Sequence, residues 1–228
     1  MRRASGLALV LLLAACASDD DTSAVDTIAV DTAAALAGSI RVEASGCGPR
    51  DRNGMATAID DGLLVTAAHV VAGSDGVEVI DADGRRSTAE VVMFDPLLDI
   101  AALRAADAVV TAVPIRPDRA TADDRGVVVV SDEDDALALV EVSVVRRATI
   151  ETTDIYRDAD VSRAGFEIEA AIDPGDSGAA VHLPGGIVGV VWARSTVHPD
   201  RAWAVDLPVH YRDEAVAVHS PVDTGPCP

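Results

Sequence analysis

The sequence contains no lysine and no glutamine, so all 18 of its basic residues are arginine. We read that absence as a composition bias and attach no function to it. Aromatic residues make up only 3 % of the 228 positions, which excludes a core packed mainly around rings. With 49 % apolar residues a core is still assured, but Val, Ala, Leu and Ile have to build it. The abundance of β-branched Val favours strands. The 18 arginines face 38 acidic residues, leaving a formal charge of −20. A surface so acidic repels phosphate backbones, which argues against nucleic acid as a partner. It repels anionic lipid headgroups as well, so any membrane attachment has to be hydrophobic or covalent. No HExxH or paired-cysteine pattern occurs, and His182, His198, His210 and His219 are scattered. Neither a metal site nor a cofactor is therefore expected.

The N-terminus suggests how a membrane could be reached. Arg2 and Arg3 precede a short apolar run, Leu7 to Leu13, and then Ala14-Ala15-Cys16. The run is too short to span a bilayer and fits a secretory signal. Leu13-Ala14-Ala15-Cys16 resembles a bacterial lipobox, which implies a signal peptide over 1–15 and a lipidated Cys16 as the new first residue. The alternative is an ordinary signal cut at a small-residue site. Two acyl chains on one cysteine would meet the requirement for stable anchoring that a single chain misses. With Cys16 assigned to lipid, Cys47 and Cys227 remain. An exported chain meets an oxidising compartment, so a disulfide between them is expected, with two unpaired thiols as the alternative. Residues 16–38, rich in Asp, Thr and Ala, read as the lipidated cysteine and a solvated tether, and 39–228 as the folded domain.

Beyond the tether, short apolar runs alternate with turn residues. Candidate strands fall at 39–44, 55–59, 63–66, 77–80, 89–94 and 100–104. A second series falls at 126–130, 137–145, 166–171, 179–182, 187–192 and 202–205. Asp60-Asp61-Gly62, Asp83-Gly84 and Pro184-Gly185-Gly186 punctuate them as turns. This spacing predicts an all-β protein with a crossover at about 105–124 between two lobes. Only 209–218 looks helical, with Tyr211, Ala215 and Val218 on one face.

Three short stretches carry chemistry. In Asp173-Pro174-Gly175-Asp176-Ser177-Gly178 a tight turn can expose the serine hydroxyl. Gly175 can take a backbone conformation denied to other residues, so that its N–H and that of Ser177 converge on a developing oxyanion. Alone, the string is also ordinary turn chemistry. Thr66-Ala67-Ala68-His69-Val70 places a histidine at the end of a buried strand, from which it can reach a cleft. In Asp95-Pro96-Leu97-Leu98-Asp99, Asp95 precedes proline and starts the turn, whereas Asp99 opens an apolar strand. A carboxylate buried there needs a partner, and an imidazole N–H supplies one.

Taken together, TAAHV, DPLLDIAAL and GDSG in the order His, Asp, Ser resemble the chymotrypsin-like (trypsin-like) serine proteases. The compact spacing, and the strings around Gly186–Val190 and Ala202–Val205, are most similar to bacterial HtrA-type protease domains. The likeness runs from about Ser39 to Tyr211. It implies two six-stranded antiparallel β-barrels, the first over about 39–107 and the second over about 125–208, with a C-terminal helix over about 209–218. It also implies a catalytic triad of His69, Asp99 and Ser177, with the N–H groups of Gly175 and Ser177 as the oxyanion hole. By the same analogy Ala171, Ile172, Val190 and Arg194 line a primary pocket for a small or medium apolar side chain, or for an acidic one if Arg194 decides. The expected activity is that of a serine endopeptidase on protein or peptide substrates, extracytoplasmic, monomeric and held at a membrane through Cys16. The sequence departs from the family in three places. Ala179-Ala180 follow GDSG, Gly54-Met55-Ala56-Thr57-Ala58 replaces the usual glycine-rich stretch before the histidine strand, and no PDZ domain follows.

Overall fold

The computed structural model describes residues 29–132 and 134–228. Signal peptide, Cys16 and most of the expected tether lie outside those residues. The chain opens on α1 (Thr32–Gly38) and continues through β1 (Ser39–Ser45), β2 (Arg52–Asp60) and β3 (Leu63–Thr66). A single helical turn, α2 (Ala68–Val71), precedes β4 (Gly76–Ile80), β5 (Arg86–Asp95) and β6 (Ile100–Arg104). These six strands close into a barrel in the order β1-β2-β3-β6-β5-β4, all pairs antiparallel.

After the crossover come β7 (Arg125–Ser131), β8 (Leu137–Thr153), β9 (Asp160–Glu169), β10 (Ala180–Leu183), β11 (Gly186–Arg194) and β12 (Arg201–Asp206). They close a second barrel in the order β10-β11-β12-β9-β8-β7. The short helix α3 (Tyr211–Ala217) follows, with Tyr211 and Ala215 buried and Val218 packed beside them, as the sequence pattern predicts. The fold is therefore the chymotrypsin-like one that the resemblance implies.

Period-two alternation explains how the barrels meet. In β3, Leu64 points into the first barrel, whereas Leu63 and Val65 point out of it. In β6, Ala101 and Leu103 point inward and Ile100 and Ala102 outward. The outward set packs against Ala180, Ile187, Val190 and Val205 of the second barrel and forms a shared apolar seam. Strands buried on both faces read as continuous apolar runs rather than alternating ones, and LLV and IAAL are such runs.

Three expectations need correction. The tether does not run to residue 38: Thr32–Gly38 is helix α1, started by the Asp31 carboxylate accepting from Ala34 N–H at 2.9 Å. Alanine and leucine favour the helix, and Ala35 is buried in the second barrel's core. Helix is also not confined to the C-terminus, because α2 follows β3 directly. Finally, β8 and β9 are much longer than predicted and project as a hairpin whose polar outer half lacks the apolar signal of a core strand.

That hairpin reaches the first barrel. At its tip, Ile155 N–H donates to Pro96 O at 3.3 Å and Tyr156 Oη donates to Thr224 O at 2.8 Å. The C-terminal tail thus runs between hairpin tip and first barrel, where Gly73 N–H donates to the same Thr224 O at 3.0 Å. Cys47 and Cys227 stand at disulfide distance, 2.11 Å between sulfurs and 5.5 Å between Cα atoms.

Candidate active site

His69 lies in α2, immediately after β3. Thr66 closes that strand by donating its hydroxyl to Met55 O at 2.7 Å. The imidazole Nδ1 sits 2.8 Å from Asp99 Oδ2 and 3.0 Å from Oδ1, while the His69 backbone N–H donates to Oδ1 at 2.8 Å. A carboxylate can only accept, so Nδ1 carries the proton and Nε2 of the neutral ring keeps its lone pair. Asp99 is 2 % exposed, whereas the His69 side chain is about one-third open to solvent.

The two aspartates differ in their contacts. Asp95 Oδ1 accepts from Leu97 and Leu98 N–H, both at 2.9 Å, and so builds the turn. That turn delivers Asp99 in the left-handed region, φ 62°, which short polar side chains tolerate better than most. From there its carboxylate faces the imidazole.

Ser177 arrives from the second barrel on the loop before β10. Asp176 N–H donates to Asp173 O at 3.1 Å and Asp173 N–H returns to Asp176 Oδ2 at 2.8 Å, tying the loop into a compact turn. Burial pushes the Asp176 carboxyl above its ordinary range, while the backbone N–H groups it accepts from oppose that shift. Gly175 has φ 110° and Gly178 φ 93°. Among the described residues, the N–H groups of Gly175 and Ser177 donate to no other protein atom.

The serine loop is pressed onto β2 and the end of β3, just before the helical turn that carries His69. Ser177 O accepts from Met55 N–H at 2.8 Å. A Cβ on Gly178 would stand 2.1 Å from Met55 O, 2.4 Å from Thr66 Oγ1 and 3.0 Å from Ala67 N. The serine loop therefore lies against the end of β3, two to three residues before His69. Asp99 engages Nδ1, whereas no hydrogen bond joins Nε2 to Ser177 Oγ.

The four residues assigned to a primary pocket do not converge. Val190 and Ile172 are sealed in the apolar seam and the second barrel core, at 0 % and 4 % exposure. Ala171 faces a different cavity, with Arg125 and Glu141. Arg194 pairs with Asp173 at 3.1 Å and borders a groove of about 640 Å³ containing Trp192, Trp203, Arg146 and Arg201. Analogy by position fails here because β11 turns Val190 into the seam between the barrels.

One residue beside Asp99 escapes sequence reasoning. Arg163 of β9 is 1 % exposed, and its guanidinium stands 3.8 Å from Asp99 Oδ2. The available signal was a lone arginine in a strand pattern that is otherwise buried at that register. Of the remaining histidines, His182 is buried and desolvation pushes it down to about 4. His198, His210 and His219 are at the surface or near it. Among the described residues no group of three or more His, Cys, Asp or Glu is arranged to hold a metal ion, and no helix is long and apolar enough to cross a membrane.

Residues 52–190, more than half of the chain, match the family described as the trypsin-like peptidase domain. The chain belongs to that family. Among curated relatives, this trypsin-like chain is 26 % identical over 151 residues to the serine protease Do-like HtrA of Lactococcus lactis. The match covers 64 % of the chain and only 37 % of that relative. Among solved structures, the active form of the Rv3671c protease from M. tuberculosis superposes with a TM-score of 0.80 at 24 % identity, covering 86 % of this chain and 88 % of that one. The serine endoprotease from Yersinia pestis gives 0.61 at 19 %, covering 77 % and 60 %. These likenesses agree with the two-barrel fold.

Proposed function

We propose that the protein is a serine endopeptidase with His69, Asp99 and Ser177 as its triad and the N–H groups of Gly175 and Ser177 as its oxyanion hole. One observation carries this reading. Asp99 fixes the His69 tautomer with Nε2 left open, and the Ser177 loop, with two free backbone donors, packs on Met55, Thr66 and Ala67 just before His69. In the reaction Ser177 Oγ attacks the scissile carbonyl carbon as its proton passes to Nε2. The carbonyl oxygen takes the negative charge and is met by the two N–H groups. The carbon–nitrogen bond then breaks, Nε2 returns the proton to the departing amine, and an acyl-enzyme remains. Water repeats the sequence on the ester and releases the new carboxylate. Asp99 stays ionised throughout and stabilises the imidazolium.

The signal-like N-terminus and the lipobox-like Cys16 support an exported enzyme anchored outside the cytoplasm and acting on envelope or extracellular proteins. The rival reading is an inactive binding module on the same fold. Labelling of the full chain with a fluorophosphonate probe decides between them. Wild type is expected to label and the Ser177→Ala and His69→Ala variants are not. Absence of wild-type labelling, with the fold intact, would overturn the proposal.

A further inference from the structure

Asp99 has a second partner that comes from the other barrel. The Arg163 guanidinium is held from three sides. Nε–H donates to Leu97 O at 2.7 Å, NH2 donates to Thr153 O at 3.3 Å, and the flat face stacks over the Trp192 ring at 4.6 Å. The remaining nitrogen, NH1, lies 3.8 Å from Asp99 Oδ2. Arginine is almost never fully buried without a reason, because removing a guanidinium from water costs several kcal/mol. Burial duly lowers its proton affinity, while Asp99, Asp95 and Asp154 raise it.

The contact with Leu97 O makes the placement informative. Leu97 lies in the turn that ends at Asp99, a turn also shaped by the Asp95 hydrogen bonds and by Ile155 N–H on Pro96 O. Arg163 therefore grips both the carboxylate and the turn that presents it. It does so from β9, while the turn and the imidazole belong to the first barrel.

We propose that Arg163 is the positioning residue for the Asp99–His69 pair. It locks the aspartate turn across the barrel seam and offsets part of the Asp99 charge felt by the imidazole. The proposal rests on the triad reading above. Charged side chains on the first-barrel strands β1, β2 and β6 have partners of their own. Arg52 of β2 donates to Ala72 O beyond α2, Glu43 of β1 pairs with Arg86 of β5, and Arg104 of β6 donates to Val218 O. Asp95 and Asp154 face the guanidinium itself.

The test compares Arg163→Met, which removes both charge and tether, with Arg163→Lys, which keeps the charge and loses the fork. Fluorophosphonate labelling rates are measured from pH 5 to 9, and the downfield Nδ1–H resonance of His69 is followed by NMR in histidine-labelled protein. Arg163→Met is expected to slow labelling about a hundredfold, as a misplaced catalytic group does. Without the cation, the ring keeps its second proton to higher pH, so the acid limb of the rate profile moves up by about one pH unit. Arg163→Lys is expected to slow labelling while leaving that limb in place. An unchanged rate in Arg163→Met, or a lower rate with an unmoved limb, overturns the proposal. Should Arg163→Met fail to fold, Arg163→Lys decides: wild-type rate and resonance refute positioning, and a slower rate with a weakened resonance supports it. If wild type itself does not label, the triad reading fails separately. The resonance then decides alone, its loss in Arg163→Met supporting positioning and its persistence refuting it.

Discussion

Replacing Asp99 by asparagine tests the core of the proposed mechanism with one atom changed. Asp99 Oδ1 receives the His69 backbone N–H and lies near Nδ1, while Oδ2 receives Nδ1–H at 2.8 Å and faces Arg163 at 3.8 Å. Every neighbour is a donor. An asparagine must turn its NH2 toward one side, and either orientation sets donor against donor. With NH2 at the Oδ2 position, Nδ1 is forced to accept and the ring proton moves to Nε2, which can then no longer take the Ser177 proton. Loss of the correct tautomer in a Ser-His-Asp triad lowers kcat by about 10⁴. The same change removes the ion-pair partner of a buried guanidinium and leaves it only the charges of Asp95 and Asp154, a loss of about 3 kcal/mol at the low end for broken buried pairs, given the long contact. Steady-state cleavage of a peptide library reads the first effect and urea unfolding the second. Activity of Asp99→Asn within tenfold of wild type would refute the assignment of Asp99. Stability within about 0.5 kcal/mol of wild type would refute the coupling to Arg163.

Further outcomes follow from the site and its supports. Gly178→Ala drives a Cβ to 2.1 Å from Met55 O and is expected to destabilise the fold by about 2–4 kcal/mol in urea unfolding. Gly175→Ala meets no atom within 4 Å, so it should fold with a loss of about 1–3 kcal/mol from its backbone strain yet lose labelling as the oxyanion N–H turns away. Reducing the Cys47–Cys227 bridge, which closes 180 residues, should lower stability by about 5 kcal/mol on the chain-entropy model, and identical urea midpoints with and without reductant would refute that. His182 binds a proton near 6.5 when unfolded and near 4 when folded. The unfolded state therefore takes up more protons between those values, and stability should fall by about 3 kcal/mol as pH drops from 6.5 to 4. A His182→Phe variant should flatten that decline in a thermal-melt series.

Much of the architecture was legible because the barrels are built from short strands whose turns are marked by Asp and Gly. The seam strands were legible for a second reason: LLV and IAAL are apolar on both faces, and such runs rarely lie at a surface. The preference for Asp99 over Asp95 rests on burial, and Asp99 is indeed the buried one, with His69 Nδ1 beside it. Other features carry no local signal. Helix α1 looked like linker because Thr32–Gly38 offers little bulk, and only its contact with the second barrel makes it worth folding. The outer half of the β8–β9 hairpin is polar, so its length depends on partners far away in sequence. Arg163 acquires meaning only when β9 is laid against the Asp95–Asp99 turn, 60 or so positions earlier in the chain. The pocket assignment failed for the same reason, since side-chain direction along β11 is fixed by barrel closure rather than by neighbours in sequence.

The two-faced strands also bear on how the protein can be taken apart. A fragment stopping near residue 107 would display Ile59, Leu63, Val65, Val92 and Ile100 as one bare greasy wall, and the complementary piece would expose Ile187, Val190 and Val205. Neither half has a polar exterior there to fall back on. Complementation by co-expressed halves should therefore succeed only when both are made together, each acting as the other's solubilising coat.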